Sequence, residues 1–283
     1  MRIKLDNMCI SLNTGDPKIR KVWDKAFGGC ISTDTPLLHI NAGFRDFAEP
    51  SHKNVIVRTR GHELGLENGR KYLLYKNNSA IAWFDAEFKN VDVYIRDSKG
   101  TAFIGHIVLY MILLGLLNQR KIACLHSSGV RIRKRGFLFV GPSGSGKTTI
   151  ARLAAKYADA KVIHDDHIKI KKNGRGIEMH HNRIIQQRRR RPEFRQDELG
   201  GKSKVDAVFF LDRGERNLAV PLKSIPAIFK LIRFSTLTLI TNREVGNLFD
   251  LYKDVVREIP CYNLKFVPDR SVWDYIQKEV RLR

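Results

Sequence analysis

Residues 141–149 (Gly-Pro-Ser-Gly-Ser-Gly-Lys-Thr-Thr) constrain the fold of this chain more than any other stretch, because they satisfy the spacing G-x-x-x-x-G-K-S/T at every required position. Glycines at this spacing let the backbone turn so that successive N–H groups face one point, at the positive end of the helix that follows. An anion such as a nucleotide phosphate is what that point binds. The flanks agree with this reading. Residues 136–140 form a short apolar run bounded by glycines, which predicts a buried parallel strand, and residues 149–157 carry an apolar helical face through Ile150, Leu153, Ala154 and Tyr157. The candidate phosphate contacts are Gly141, Ser143, Gly144, Ser145, Gly146, Lys147, Thr148 and Thr149. Lys147 adds a full positive charge, and Thr148 offers a hydroxyl to a magnesium ion.

A chain of 283 residues can bury two ordinary cores, so two domains are expected, divided as 1–118 and 119–283. Cys9, Cys30, Cys124 and Cys261 stand far apart with no C-x-x-C pair, and no secretory signal opens the sequence. These features predict core thiols in a reduced, cytoplasmic setting. The most apolar segment, residues 103–117, contains His106 and falls short of the roughly 18–20 apolar residues of a membrane span, so it reads as a buried helix.

The net charge of +22 is uneven. Residues 1–120 hold 17 Lys and Arg against 12 Asp and Glu, leaving 34 against 17 for residues 121–283. Arg183, Arg188, Arg189, Arg190, Arg191 and Arg195 exceed what one nucleotide requires. An acidic partner, RNA included, and a solvated basic loop are both compatible with such a run.

Residues 1–98 show period-two or short apolar runs with turn signals at 67–69 and 76–79, which predict a β-rich domain built as an antiparallel meander. It has no carboxylate pair or metal-spaced His/Cys set, so recognition or packing is its expected role. Beyond the glycine loop, residues 161–164 predict a strand ending in Asp165-Asp166, and 206–212 a buried strand. Residues 173–204 are polar and arginine-rich and predict a long mobile loop close to the site. Helical patterns occupy 224–234, 245–258 and 271–280, with a last strand at 264–267.

A glycine loop alone implies nucleotide binding, so the reaction must come from the carboxylates. Asp165-Asp166 could hold a metal with one side chain and accept a proton from an attacking hydroxyl with the other. Asp212 ends an apolar run as a magnesium-associated aspartate would, but residues 213–216 supply no neighbouring carboxylate aimed at water, and a strand-end turn explains it. His164 and His167 flank the acidic pair. On a continuous strand His164 and Asp166 would face one side and Asp165 and His167 the other, which argues against a four-ligand metal cage. His180-His181 reads as loop polarity.

Residues 125–130 (Leu-His-Ser-Ser-Gly-Val), 136–149 and 162–166 (Val-Ile-His-Asp-Asp), in this order and spacing, resemble the HPr kinase/phosphorylase superfamily, as do residues 207–211, 220–222 and 259–269. The resemblance implies an α/β fold with a P-loop, HPr-kinase-like (phosphoenolpyruvate-carboxykinase-like) C-terminal domain beside a smaller β-rich N-terminal domain. It further implies an ATP- and Mg2+-dependent kinase acting on a hydroxyl of a peptide, protein or small serine-like acceptor. Carried over by position, Lys147 would stabilise the transferring phosphoryl group, and Thr148 and Asp165 would serve the metal. Asp166 would be the general base and His126 a phosphate-side contact. The segment that grips HPr in that family is not recognisable here, and the cluster from Arg183 to Arg195 is unlike the family pattern. An RNA kinase acting on a ribose or terminal hydroxyl, and a nucleotide-gated binding protein that transfers nothing, are the alternative readings.

Overall fold

The structure is a computed structural model that describes residues 1–5, 8–59, 61–75, 78–85, 87–101, 103–104, 108–182, 200–236 and 242–279. Arg183, Arg188, Arg189, Arg190, Arg191 and Arg195 lie outside the described residues. The chain is mixed α/β with two sheets and divides into two compact units, Met1–Leu116 and Leu117–Arg283.

The first unit holds β1 (Arg2–Leu5), β2 (Met8–Asn13), α1 (Pro17–Phe27), β3 (Leu38–Phe44), β4 (Val55–Arg58), β5 (His62–Glu67), β6 (Arg70–Tyr75), β7 (Ala80–Phe84) and β8 (Asn90–Ile95). Its sheet runs β1-β2-β3-β8-β7-β6-β5-β4. From β4 to β8 it is the antiparallel meander the turn signals predict. Asn68 and Gly69 both take positive φ (49° and 74°), as a two-residue hairpin turn that follows the strand twist demands. The meander does not extend to the other end of the sheet. β3 runs parallel to both β2 and β8, and α1 makes the crossover between β2 and β3. The Asp16 side chain caps α1 by accepting from the Lys18 and Ile19 N–H groups. Its buried stripe is only Ile19, Trp23 and Phe27 among charged neighbours, too narrow to stand out in the sequence.

α2 (Val108–Gln119) is apolar on every side and buried through Leu117, and the division between the units falls within it. No helix among the described residues is long and apolar enough to cross a membrane.

The second unit is organised around β9 (Ile122–Ile132), which forms an antiparallel hairpin with β10 (Arg135–Val140). β10 is parallel to β15 (Ala207–Arg213), and β15 to β17 (Cys261–Phe266), with β16 (Leu218–Pro221) as an antiparallel edge. On its other edge β9 pairs first with β12 (His167–Asn173), along residues 122–126, and then with β11 (Ala160–His164), along residues 129–132. β13 (Gly176–His180) and β14 (Lys202–Lys204) extend the β12 side. The helices are α3 (Lys147–Tyr157), α4 (Ser224–Arg233), α5 (Asn242–Glu258) and α6 (Ser271–Glu279).

Apolar side chains face both ways from the central strands, as in a sheet covered on both sides. Phe137, Phe139, Phe209 and Leu211 pack with Ile150, Trp273 and Ile276, while Leu138, Val140, Val208 and Phe210 pack with Leu231, Leu248 and Tyr252. Phe139 stacks on Phe209 at 5.3 Å, and Trp273 meets Phe139 edge-on at 5.6 Å.

Residues 173–182 and 200–204, the described part of the mobile loop expected over 173–204, instead contain the turn and second strand of the β12–β13 hairpin and the added strand β14. Ile177 and Met179 alternate into the core, the Asn173 side chain accepts from the Arg175 N–H at 2.8 Å, and Gly176 takes φ 108°. Two inward residues are a weak period-two signal among so many charges.

Candidate active site

The loop between β10 and α3 takes the strand–turn–helix form that its spacing predicts. Gly144 and Gly146 adopt φ of 79° and 95°, and a Cβ on Gly146 would come within 2.6 Å of the Phe266 ring. A Cβ on Gly141 would meet Ser145 Oγ at 2.5 Å, so Gly141 is required for space, and Gly146 for space as well as conformation. No side chain caps the N-terminus of α3, which leaves its first-turn N–H groups for an anion. Ser145 Oγ is buried inside the loop with no hydrogen-bond partner among the described residues. Lys147 is 5% exposed and donates to the carbonyls of Gly141 at 2.9 Å and Pro142 at 2.7 Å. Ser143 is exposed on the loop, and Thr148 and Thr149 lie half-buried in the first turn of α3.

Where β9 exchanges β11 for β12, Asp165 and Asp166 form a bend between the two partner strands. Ser127 N–H donates to the Asp166 carbonyl at 2.9 Å, fixing the bend to β9. His164 Nδ1 accepts the N–H groups of both Asp166 and His167 at 3.1 Å, which places the ring proton on Nε2. His164 therefore acts as a brace rather than a metal ligand. His181, Nδ1 of which donates to the Ile163 carbonyl at 2.7 Å, lies against it with ring centroids 5.1 Å apart.

The bend breaks the alternation expected of a continuous strand, with a direct consequence for the carboxylates. Asp165 is 1% exposed, and its Oδ2 lies 3.4 Å from Thr148 Oγ1. Asp166 receives His126 Nε2 on Oδ1 at 2.8 Å, and its Oδ2 stands 3.3 Å from His167 Nδ1. The two imidazoles, opposite each other in the register of β9 and β12, have ring centroids 5.1 Å apart. Burial pushes the Asp166 carboxyl up, but the contacts of His126 and His167 more than offset this and hold it well below the usual carboxylate range.

Thr148 and Asp165 are hard oxygen donors, and adjacent ligands of an octahedral magnesium with bonds of about 2.1 Å stand about 3 Å apart, close to the separation here. No group of three or more His, Cys, Asp or Glu among the described residues could hold a metal by itself. Two protein oxygens suit a magnesium ion that completes its shell with phosphate and water.

Asp212 is exposed as one of the last two residues of β15, still paired with Lys265 of β17 rather than in a turn, and its Oδ1 accepts the Arg213 N–H at 2.9 Å. The Arg213 guanidinium reaches back to the Gly144 carbonyl at 3.2 Å.

A polar cleft of about 540 Å3 opens beside the bend, lined in part by Ser143, His126, Asp166 and His167. Arg233, Phe234, Ser235 and Thr236 complete it. Arg233 ends α4 and the other three follow it, with no motif that sequence reasoning could use; backbone pairing brings them in, His126 N–H to Phe234 O at 2.8 Å and Thr236 N–H to Cys124 O at 2.7 Å. Ser235 Oγ donates to the Leu231 carbonyl at 2.8 Å, so the close contact between the Ser235 and Tyr252 hydroxyls has Tyr252 as donor.

No family model matches the chain, and no curated protein matches it. Among solved structures it is similar to the HPr(Ser) kinase/phosphatase from Coxiella burnetii, at 14% identity over 50% of this chain and 84% of that one. The TM-score of that match, 0.30, is too low for any conclusion about activity to be drawn from it.

Proposed function

We propose that this protein is a kinase that transfers the γ-phosphoryl group of ATP to a hydroxyl. The observation that carries this reading is the meeting of Thr148 and Asp165 at the head of α3, with their oxygens 3.4 Å apart and the Asp166–His126 pair beside them. The first-turn N–H groups of α3 and Lys147 receive the phosphates, for which Nζ leaves its two loop carbonyls. Thr148 and Asp165 would hold a magnesium ion, which would supply charge neutralisation for the phosphates. Asp166 orients the acceptor hydroxyl. The acceptor oxygen bonds to the γ-phosphorus as the bond to the β-phosphate bridge breaks, and the hydroxyl proton passes to the Asp166 carboxylate. A carboxylate held this low strips no proton early, which suits a loose transition state in which the proton moves late.

The test is incubation with γ-labelled ATP and magnesium against separate pools of small hydroxyl compounds, peptides and tRNA. Label enters one pool, Lys147→Ala abolishes it and Asp166→Asn slows its entry by about 10²- to 10⁴-fold, while circular dichroism stays unchanged. Tight ATP binding with label in no pool would replace this reading with a nucleotide-gated binder.

A further inference from the structure

We infer that the acceptor is a small molecule bearing an anionic group, carboxylate or phosphate, beside the hydroxyl it offers, and that Arg233 holds that group. This rests on the phosphotransferase reading and assigns a further part of its cleft.

At about 540 Å3 the cleft matches the size of ordinary small-molecule sites. Its lining combines two chemistries: Ser143 of the glycine loop and the Asp166 carboxylate, and the cation and hydroxyls of Arg233, Ser235 and Thr236. Asp166 has its charge answered by two imidazoles. Arg233 does not: it is exposed, its guanidinium lies 5.6 Å from the Phe234 ring centroid, and it meets no carboxylate among the described residues. A free guanidinium fork matches a carboxylate or phosphate with two parallel hydrogen bonds.

The wall that carries it is built rather than loose. Residues 234–236 are fixed to β9 by two backbone hydrogen bonds, and the Tyr252 hydroxyl anchors Ser235 from the core. An acceptor whose anion rests on Arg233 presents its hydroxyl to Asp166 in the same cleft. Its oxygen then takes the γ-phosphoryl group, ADP leaves, and the proton passes by way of the carboxylate to solvent.

The test uses paired probes that differ only in the anion: L-serine against L-serinamide, and glycerol 3-phosphate against glycerol, with a serine peptide blocked at both termini as the polypeptide arm. Label from ATP is expected in an anionic probe and not in its neutral twin. Arg233→Gln should raise KM for that probe about 10- to 100-fold, the loss of a charged hydrogen bond, with KM for ATP unchanged, and Arg233→Lys should recover part of it. Calorimetric titration of the same probe into protein loaded with a non-hydrolysable ATP analogue should show the same loss.

Equal labelling of neutral twins, label in the blocked peptide alone, or an Arg233→Gln effect on KM for ATP would overturn the inference and leave the phosphotransferase reading standing. Label in no compound overturns it as well. If Lys147→Ala then also leaves ATP binding unchanged, the phosphotransferase reading falls with it.

Discussion

His126 Nε2 lies 2.8 Å from Asp166 Oδ1, joining β9 to the bend between β11 and β12. Because its folded value is depressed, the Asp166 carboxyl contributes stability above its ordinary value that is lost only as pH falls through the lower, folded one. It is therefore ionised throughout the range from about pH 5 to 9. Asp166→Asn should lower kcat by about 10²- to 10⁴-fold, by a constant factor across that range. A pH–rate profile whose acid limb disappears in this variant would contradict the assignment.

Gly146→Ala places a methyl group against Phe266 in a left-handed backbone conformation. The conformational strain alone costs about 1–2 kcal/mol. Nucleotide binding, read by titration with a fluorescent ATP analogue, should be lost. Phe266→Ala in that background removes the clash but not the strain, so it should restore binding only in part.

Phe209 is fully buried and stacks on Phe139 at 5.3 Å and on Tyr262 at 5.4 Å. Phe209→Ala should destabilise the second unit by about 3–5 kcal/mol in chemical denaturation. Hydrogen exchange should accelerate in β10 and β15 and stay unchanged in β5 to β8.

In the first unit, Glu63 is 7% exposed and gathers Tyr72 at 2.8 Å, His52 at 2.6 Å and Arg58 at 2.7 Å. Burial pushes its carboxyl up, and these three partners bring it below the ordinary glutamate value of 4.5. The stability it contributes is thus present above that value and lost as pH falls through the lower, folded one. Glu63→Ala should cost about 1–3 kcal/mol by leaving the Tyr72 hydroxyl buried without its acceptor. Hydrogen exchange of β5 and β6 should show the difference from wild type narrowing as the solution is acidified.

What could be read from the sequence was local. The glycine loop declares itself because conformation, charge and hydroxyl are demanded at fixed offsets within nine residues. The strand before it shows because a run apolar on both faces has few other fates. The acidic pair was visible as residues but not as geometry. Strand alternation places Asp165 and Asp166 on opposite faces, whereas His164 receives two backbone N–H groups and turns the chain between them. A histidine two residues before an acidic residue at a strand end can supply such an acceptor, and that is the signal sequence reading passed over. Arg233, Ser235 and Thr236 had no signal at all. Their place in the cleft depends on pairing with Cys124 and His126 across a long stretch of chain, information that no short window contains.

The exchange of partners along β9 also orders the birth of the site. β9 leaves the ribosome before every strand that flanks it, and its upstream half stays an open template until both the acidic bend and Thr236 have emerged. A nascent chain that stops short of Phe234 has a complete glycine loop but an unsealed strand edge at Cys124 and His126. Such an edge invites pairing with another chain, so pausing there exposes the protein to aggregation at the place where its chemistry is later assembled.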